Sequence, residues 1–336
     1  MWMKNNADSL PGCVTKKAPG IMMMWYYLTA VPSYQTMAAL SIVFWSVKEM
    51  CTYQIITDSC CDFPVEMYRK LNLDFVPLSL EFRGTVTADR NDDSLKELYD
   101  GLRSGEAAKT SAVNPDTWAK KMEPYLEQGL DILVLAFSSG LSTTYQSAVI
   151  AGEELKEKYP HRKILVVDTL CASLGQGLLV YHVCVQRDQG ATLEEAAKWA
   201  EDHKQNLCHW FTVDDLMHLK RGGRVSAATA MVGTMLQIKP VLHVDEEGHL
   251  VNVAKARGRK ASIEALAKKV AELGSGFDNS TVFLSHGDCR EDAELLIGIL
   301  KEQYGVKEVL LSYVGSVIGS HAGPGTLALF FLGEHR

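Results

Sequence analysis

Two hydroxyl-rich junctions hold the residue types best suited to an acid group. In the first, Lys109-Thr110-Ser111 precedes Asn114-Pro115. In the second, the apolar run Ile132 to Phe137 ends in Ser138-Ser139-Gly140-Leu141-Ser142-Thr143-Thr144. Hydroxyls and free backbone N–H groups, placed where a strand gives way to a helix, can bind an anion. Two more donors lie further along: Arg257 in the basic turn Lys255-Ala256-Arg257-Gly258-Arg259-Lys260, and His321 in the glycine-rich stretch Gly319 to Thr326. A crevice between the two halves would offer hydroxyls from one wall and a cation and a titratable donor from the other. That combination suits a carboxylate or a phosphoryl group. The competing readings are loop hydrogen bonding for the hydroxyls, a solvated charge for Arg257 and a brace for the Gly-Pro-Gly turn for His321.

The elements that must position these residues are strand–helix units. Tyr53 to Thr57 reads as a buried strand, with Asp58 to Asp62 as its loop and a helix opened by Phe63-Pro64. Asp58 either faces a ligand crevice or braces its own loop through local N–H groups. A second strand falls within Leu73 to Phe82. Ser94 with Glu97 and Thr192 with Glu195 have the spacing of capping boxes. Asn114 followed by Pro115 marks a helix start. Lys163 to Asp168 is a further strand, and Thr169 to Gly177 leads into an apolar helix. Alternation of this kind predicts a parallel sheet covered on both faces.

The pattern changes near residue 209. Trp210 to Lys220 is mixed, and Lys220 to Ser226 is a basic turn containing Gly222 and Gly223, followed by a small-residue helix through Met235. Ile238 to Val244 and Leu250 to Ala254 fit a hairpin. A helix over Ala261 to Leu273 and a strand over Thr281 to Leu284 come next, then a capping box of Asp288 with Glu291. Lys307 to Val314 reads as the last strand, ahead of the apolar segment Leu327 to Leu332. The expected division is therefore an N-terminal extension over residues 1–50, an α/β domain over 51–208 and a smaller α/β domain over 209–336.

With 336 residues, 47% of them hydrophobic, the chain is long enough for two cores. A net charge of -7 gives no general attraction to nucleic acid. Eight cysteines without a CxxC pair read as reduced thiols of a cytoplasmic protein, the adjacent Cys60 and Cys61 included. No metal-ligand spacing is present. Gly222-Gly223 lacks the phosphate-loop spacing, and Ser139 does not lie in a nucleophile elbow. Residues 21–47 carry no charge and are long enough to span a bilayer, against which stand Pro32 and Gln35. The two readings of this stretch are a membrane segment and a non-native leader ahead of a start at Met50.

From Tyr53 to Gly333 the chain resembles the DegV family of bacterial fatty-acid-binding proteins. The resemblance rests on TDS at Thr57 to Ser59, KTS at Lys109 to Ser111, SSGLSTTYQSA at Ser138 to Ala148 and SLGQGLLV at Ser173 to Val180. FTVDDLMHLKRGGRVS, KPVLHVDEEG, ARGRKAS and HAGPGTLALFFLG follow in order. It implies a two-domain DegV-like α/β fold, with a parallel-sheet N-terminal domain and a smaller mixed-sheet C-terminal domain, enclosing a long-chain fatty acid between them. It further implies a non-catalytic subunit without cofactor or metal, which presents the acyl carboxylate to a separate ATP-dependent fatty acid kinase for acyl phosphate formation. On this resemblance Thr110 and Ser142 hold the carboxylate, with Ser111 and Ser139 as neighbours, and Arg257 and His321 serve the head group or its presentation to the kinase. The alternative is a carrier or sensor of another apolar acid without kinase coupling. The chain departs from the family at Cys60-Cys61, at Val113-Asn114 and at Thr143, where glycine is usual. A β-branched residue there is expected to narrow the head-group loop.

Overall fold

The computed structural model describes residues 52–89, 94–226 and 237–336. The 1–50 extension, its 21–47 stretch and the small-residue helix through Met235 lie outside the described residues. Among the described residues no helix is long and apolar enough to cross a membrane.

The first domain is built on a parallel sheet of order β2-β1-β6-β7, from Tyr53–Asp58 (β1), Asp74–Val76 (β2), Asp131–Ala136 (β6) and Ile164–Asp168 (β7). Strand residues alternate between faces, which explains why these segments are apolar throughout: both faces are buried. Ile56, Ile132 and Val134 pack against Trp118, Met122, Ala148 and Ala151. These come from helices Pro115–Glu127 (α3) and Thr144–Lys158 (α4). Ile55, Leu133 and Leu135 pack the other way, against Leu179, Val183 and Ala196 of helices Leu174–Asp188 (α5) and Leu193–His203 (α6). Two expected caps are present: Asn114 accepts from the Thr117 N–H, and Thr192 with Glu195 closes a reciprocal capping box. The expected box at Ser94 is not formed, because the Ser94 side chain makes no cap bond to the helix Leu95–Arg103 (α2).

The second domain holds a mixed six-stranded sheet of order β10-β9-β8-β13-β11-β12. The strands are Leu207–Thr212 (β8), Ile238–Val244 (β9), Leu250–Arg257 (β10), Thr281–His286 (β11), Glu308–Tyr313 (β12) and Leu327–Leu332 (β13). Leu207–Thr212 is fully buried, and the stretch Trp210 to Lys220 divides into the end of that strand and the helix Leu216–Arg221. Two expectations are corrected. The apolar segment Leu327–Leu332 is a strand between β8 and β11, so β12 is not the last. Asp288 does not cap the helix: its backbone is left-handed (φ 53°), Cys289 stands at the helix N-cap without a side-chain capping bond, and Asp288 instead pairs with Arg103. Helices Arg259–Leu273 (α8) and Arg290–Gln303 (α9) cover one face of this sheet; the other faces the first domain.

A small antiparallel sheet of order β4-β3-β5 was not anticipated. It comprises Ser79–Phe82 (β3), Thr85–Ala88 (β4) and Ala108–Ser111 (β5). It carries Thr110 on a strand rather than in a loop. Tyr99 of α2 donates to the Val314 carbonyl at 2.8 Å, and Ser316 donates to the buried Asp89 at 2.5 Å, so this sheet and its helix are tied to the second domain.

The domains meet closely where α5 begins. A Cβ on Gly175 would lie 2.0 Å from His209 Nε2 on β8, so only glycine lets the helix approach. Gly175→Ala is expected to lower unfolding free energy by about 1–3 kcal/mol through overpacking, read from urea denaturation midpoints; an unchanged midpoint would show that β8 yields freely at this contact.

Candidate functional site

The parallel strand β6 ends at Ala136 and delivers Phe137 to Thr143 to a cavity of about 420 Å3. That lies within the ~300–1,000 Å3 range of small-ligand pockets. Leu78, Phe137, Leu141, Phe211, Val317 and Phe330 supply apolar wall. Asp58 does not line it. The carboxylate accepts from Phe137 N at 2.7 Å and Cys60 N at 3.0 Å, so it braces the two loops together. Burial pushes its pKa up to about 7, against the downward pull of those donors. Cys60 and Cys61 are buried and reduced.

Four of the expected residues line the cavity: Thr110, Ser139, Ser142 and His321. Thr110 Oγ1 and His321 Nε2 are 2.8 Å apart, joining β5 to the last turn of helix Ser316–Ala322 (α10). His321 is therefore helical, not part of the glycine loop that follows. Ser142 Oγ lies 2.9 Å from Thr144 Oγ1 and accepts from Thr144 N, which holds it at the start of α4. Thr143 precedes that helix with φ −79° and ψ 5°, a backbone open to any residue. Threonine there needs no glycine-like conformation.

Ser111 and Arg257 do not line the cavity. Strand alternation turns Ser111 away from Thr110, and it is exposed. Arg257 is the exposed last residue of β10, paired with Ile238, rather than part of a turn.

The sequence reading passed over Arg224, which does line the cavity. Its guanidinium donates to the Leu141 carbonyl at 3.1 and 3.2 Å and to the Gly222 carbonyl at 2.5 Å. Burial lowers its pKa. The signal was the basic turn at Lys220 to Ser226, tested only for phosphate-loop spacing. The same turn seats the imidazole: a Cβ on Gly222 would lie 2.2 Å from His321 Nδ1. Burial, and then the nearby Arg224 charge, bring the His321 pKa down to about 4. At neutral pH the cavity thus offers hydroxyls, an uncharged imidazole and a guanidinium, a set able to receive one carboxylate without stacking like charges. Among the described residues no group of three or more His, Cys, Asp or Glu side chains could hold a metal ion.

A two-domain α/β protein with an apolar cavity and a polar head-group set is a ligand-binding class, and comparison with known proteins gives the family. The family model described as "Uncharacterised protein, DegV family" matches residues 52–334. A DegV domain-containing protein of Clostridium perfringens is 46% identical over 85% of this chain and 99% of its own length. The structure reported as fatty acid binding of a DegV family protein from Thermus thermophilus aligns with a TM-score of 0.75, at 30% identity, over 84% of this chain and 99% of that one. The fatty acid kinase (Fak) B3 protein of Streptococcus pneumoniae, loaded with linoleic acid, shares the fold with a TM-score of 0.73, at 23% identity, over 84% of this chain and 100% of that one. The chain belongs to the DegV family.

The depressed His321 pKa has a defined sign. Its folded value lies below that of a free histidine, so stability from the neutral imidazole is complete above about pH 6.5 and is lost as pH falls toward 4. Imidazole NMR titration is expected to show His321 neutral at pH 5.5. Arg224→Ala is expected to raise the midpoint part of the way, because burial, the larger cause, remains. A midpoint near 6.5 in the unaltered protein would contradict the buried placement.

Proposed function

We propose that the protein binds a long-chain fatty acid in the cavity, with its carboxylate received by Thr110 and Ser142. His321 and Arg224 act at the same head group, and Ser139 lies beside it. The acid is then presented to a separate ATP-dependent kinase subunit that forms the acyl phosphate. The observation that carries this reading is the Thr110–His321 hydrogen bond opening onto an otherwise largely apolar cavity. An aliphatic tail gains roughly 0.8 kcal/mol per buried CH2 before the cost of association. A buried carboxylate needs donors, and hydroxyls and a guanidinium supply them, with the imidazole donating from Nε2 to Thr110 Oγ1 so that the Thr110 proton is left for the acid.

The protein acts by binding and presentation and contributes no nucleotide site of its own. The Thermus relative, named for fatty acid binding, supports the lipid. The kinase step rests on the motifs around ARGRK and HAGPGT and on the exposure of Arg257, which suits contact with a partner better than contact with an enclosed acid. A cytoplasmic location and a two-domain division near residue 208 belong to the same proposal.

Thr110→Ala and Ser142→Ala are each expected to weaken fatty-acid affinity about tenfold, the size of one hydrogen bond to a charged group. Displacement of a fluorescent fatty acid reads this directly, and full affinity in both variants would remove the head-group assignment. Arg257→Ala is expected to cut kinase-coupled acyl phosphate formation more than it cuts fatty-acid affinity. Equal losses in the two assays would end the separate presentation role.

A further inference from the structure

The turn between β9 and β10 reaches out of its own sheet to the first domain. The register of β9 with β8 covers Trp210–His243 and Phe211–Leu242 only, so Val244 to Leu250 project past it as an arm. β10 is the edge strand, and its register with β9 shifts between Asn252 and Ala254, beside the exposed Val253. A bulge of this kind bends the strand that carries it. The turn itself is internally braced. Asp245 Oδ1 accepts from Glu247 N at 3.0 Å and from His249 N at 2.8 Å, and the Gly248 N–H donates to the Asp245 carbonyl at 3.0 Å. It is built to move as one piece.

The arm seals one side of the cavity. Val244 and Leu250, a cross-strand pair at its base, line the cavity, and so do Ser139 and Leu141 of the loop that it touches. Ser139 is also exposed, so the seam lies between cavity and solvent. Backbone meets backbone there: a Cβ on Gly140 would lie 2.8 Å from the Glu247 carbonyl oxygen. A methylene keeps about 3.5–4 Å from other atoms, so no acyl chain passes the seam while it is closed. Three polar ties among the described residues hold it shut. Ser138 Oγ donates to the Gly248 carbonyl at 2.9 Å, Gln205 Nε2 to the Glu246 carbonyl at 2.8 Å and Arg336 Nη1 to the Asp245 carbonyl at 3.1 Å. A few ties around a self-braced turn mark a segment that opens locally, without unfolding its sheet.

We propose that the arm Val244–Leu250 is the gate of the cavity, swinging off the Ser138–Gly140 loop about the bulge near Val253 to let the ligand in and out. The proposal rests on the reading of the cavity as a fatty-acid site and adds how the acid is exchanged. The seam runs beside Ser139, in the same loop as Ser142. An acid entering there goes in tail first, and its carboxylate comes to rest nearest the mouth. An arm that merely walled the cavity would set affinity, whereas a gate sets rates.

Gln205 touches the arm without lining the cavity, so Gln205→Ala loosens the arm equally in the free and the loaded protein. Stopped-flow measurements with a fluorescent fatty acid are expected to show association and dissociation both accelerated about threefold to tenfold, the worth of one hydrogen bond, with Kd changed less than about twofold. Gly140→Ala, a wedge beneath Glu247, is expected to act in the same way. A trifluoromethyl label on the exposed position of Glu247→Cys reads the arm with all three ties intact, which decides the matter should either alanine variant misfold. Fluorine NMR is expected to show a second, exchanging state that opens at least as fast as the acid dissociates. Unchanged rates in both alanine variants, or weaker affinity with an unchanged association rate, overturn the gate and leave the fatty-acid reading standing. A label confined to one state in protein that still releases its acid does the same. Failure of the unaltered protein to bind any fatty acid overturns that reading together with the gate.

Discussion

The hydrogen bond between Thr110 and His321 sets the terms for the rest of the structure. It joins a strand of the small antiparallel sheet to a helix of the second domain, 211 positions apart in sequence. Burial, and then the nearby Arg224 charge, favour the uncharged imidazole there. Gly222 gives it a seat that any side chain would fill. The surrounding ties share this purpose. Tyr99 to Val314, Ser316 to Asp89 and Arg103 to Asp288 all fasten the small sheet and its helix to the second domain. Thr110 is thus fixed relative to His321 by several bonds besides its own.

The cavity follows from how the two sheets are covered. A parallel sheet with helices on both faces leaves its loops at the C-terminal strand ends, and the loop after β6 supplies Phe137 to Thr143. Helices α8 and α9 cover one face of the second sheet. Its other face carries Phe211, Ala328 and Phe330, which pack against the start of α5 and also line the cavity. One sheet therefore contributes positioned loops and the other a broad apolar wall.

Legibility in the sequence tracked how local the cause was. β1, β6 and β7 could be read because runs buried on both faces are nearly all apolar. The caps at Asn114 and Thr192 could be read because their bonds span three residues. β8 could not, since Leu207-Cys208-His209-Trp210-Phe211-Thr212 mixes polar groups into a strand whose burial depends on partners 115 to 125 positions away on β13. The box expected at Asp288 failed for a similar reason: its partner is Arg103, far off in sequence, and its backbone is left-handed. Thr110, Ser142, Ser139 and His321 were found through their motifs and do meet at the cavity. Arg224 was missed because the turn that bears it was weighed for only one chemistry, and Arg257 was expected nearer than it lies.

Polarity inside the cavity is unevenly distributed in kind as well as in place. The groups around Thr110 and Ser142 can donate, through hydroxyls and a guanidinium, and they suit an acid oxygen. The groups around Ser285 have their protons committed inward, to Ser173 and through it to Asp62, while His209 commits its own to Leu207. His209 Nε2 in turn accepts from the Ala172 N–H and lies against Gly175, so this set is satisfied within the protein. Unspent donors therefore belong to the set around Thr110, Ser142 and Arg224, the set suited to an acid oxygen.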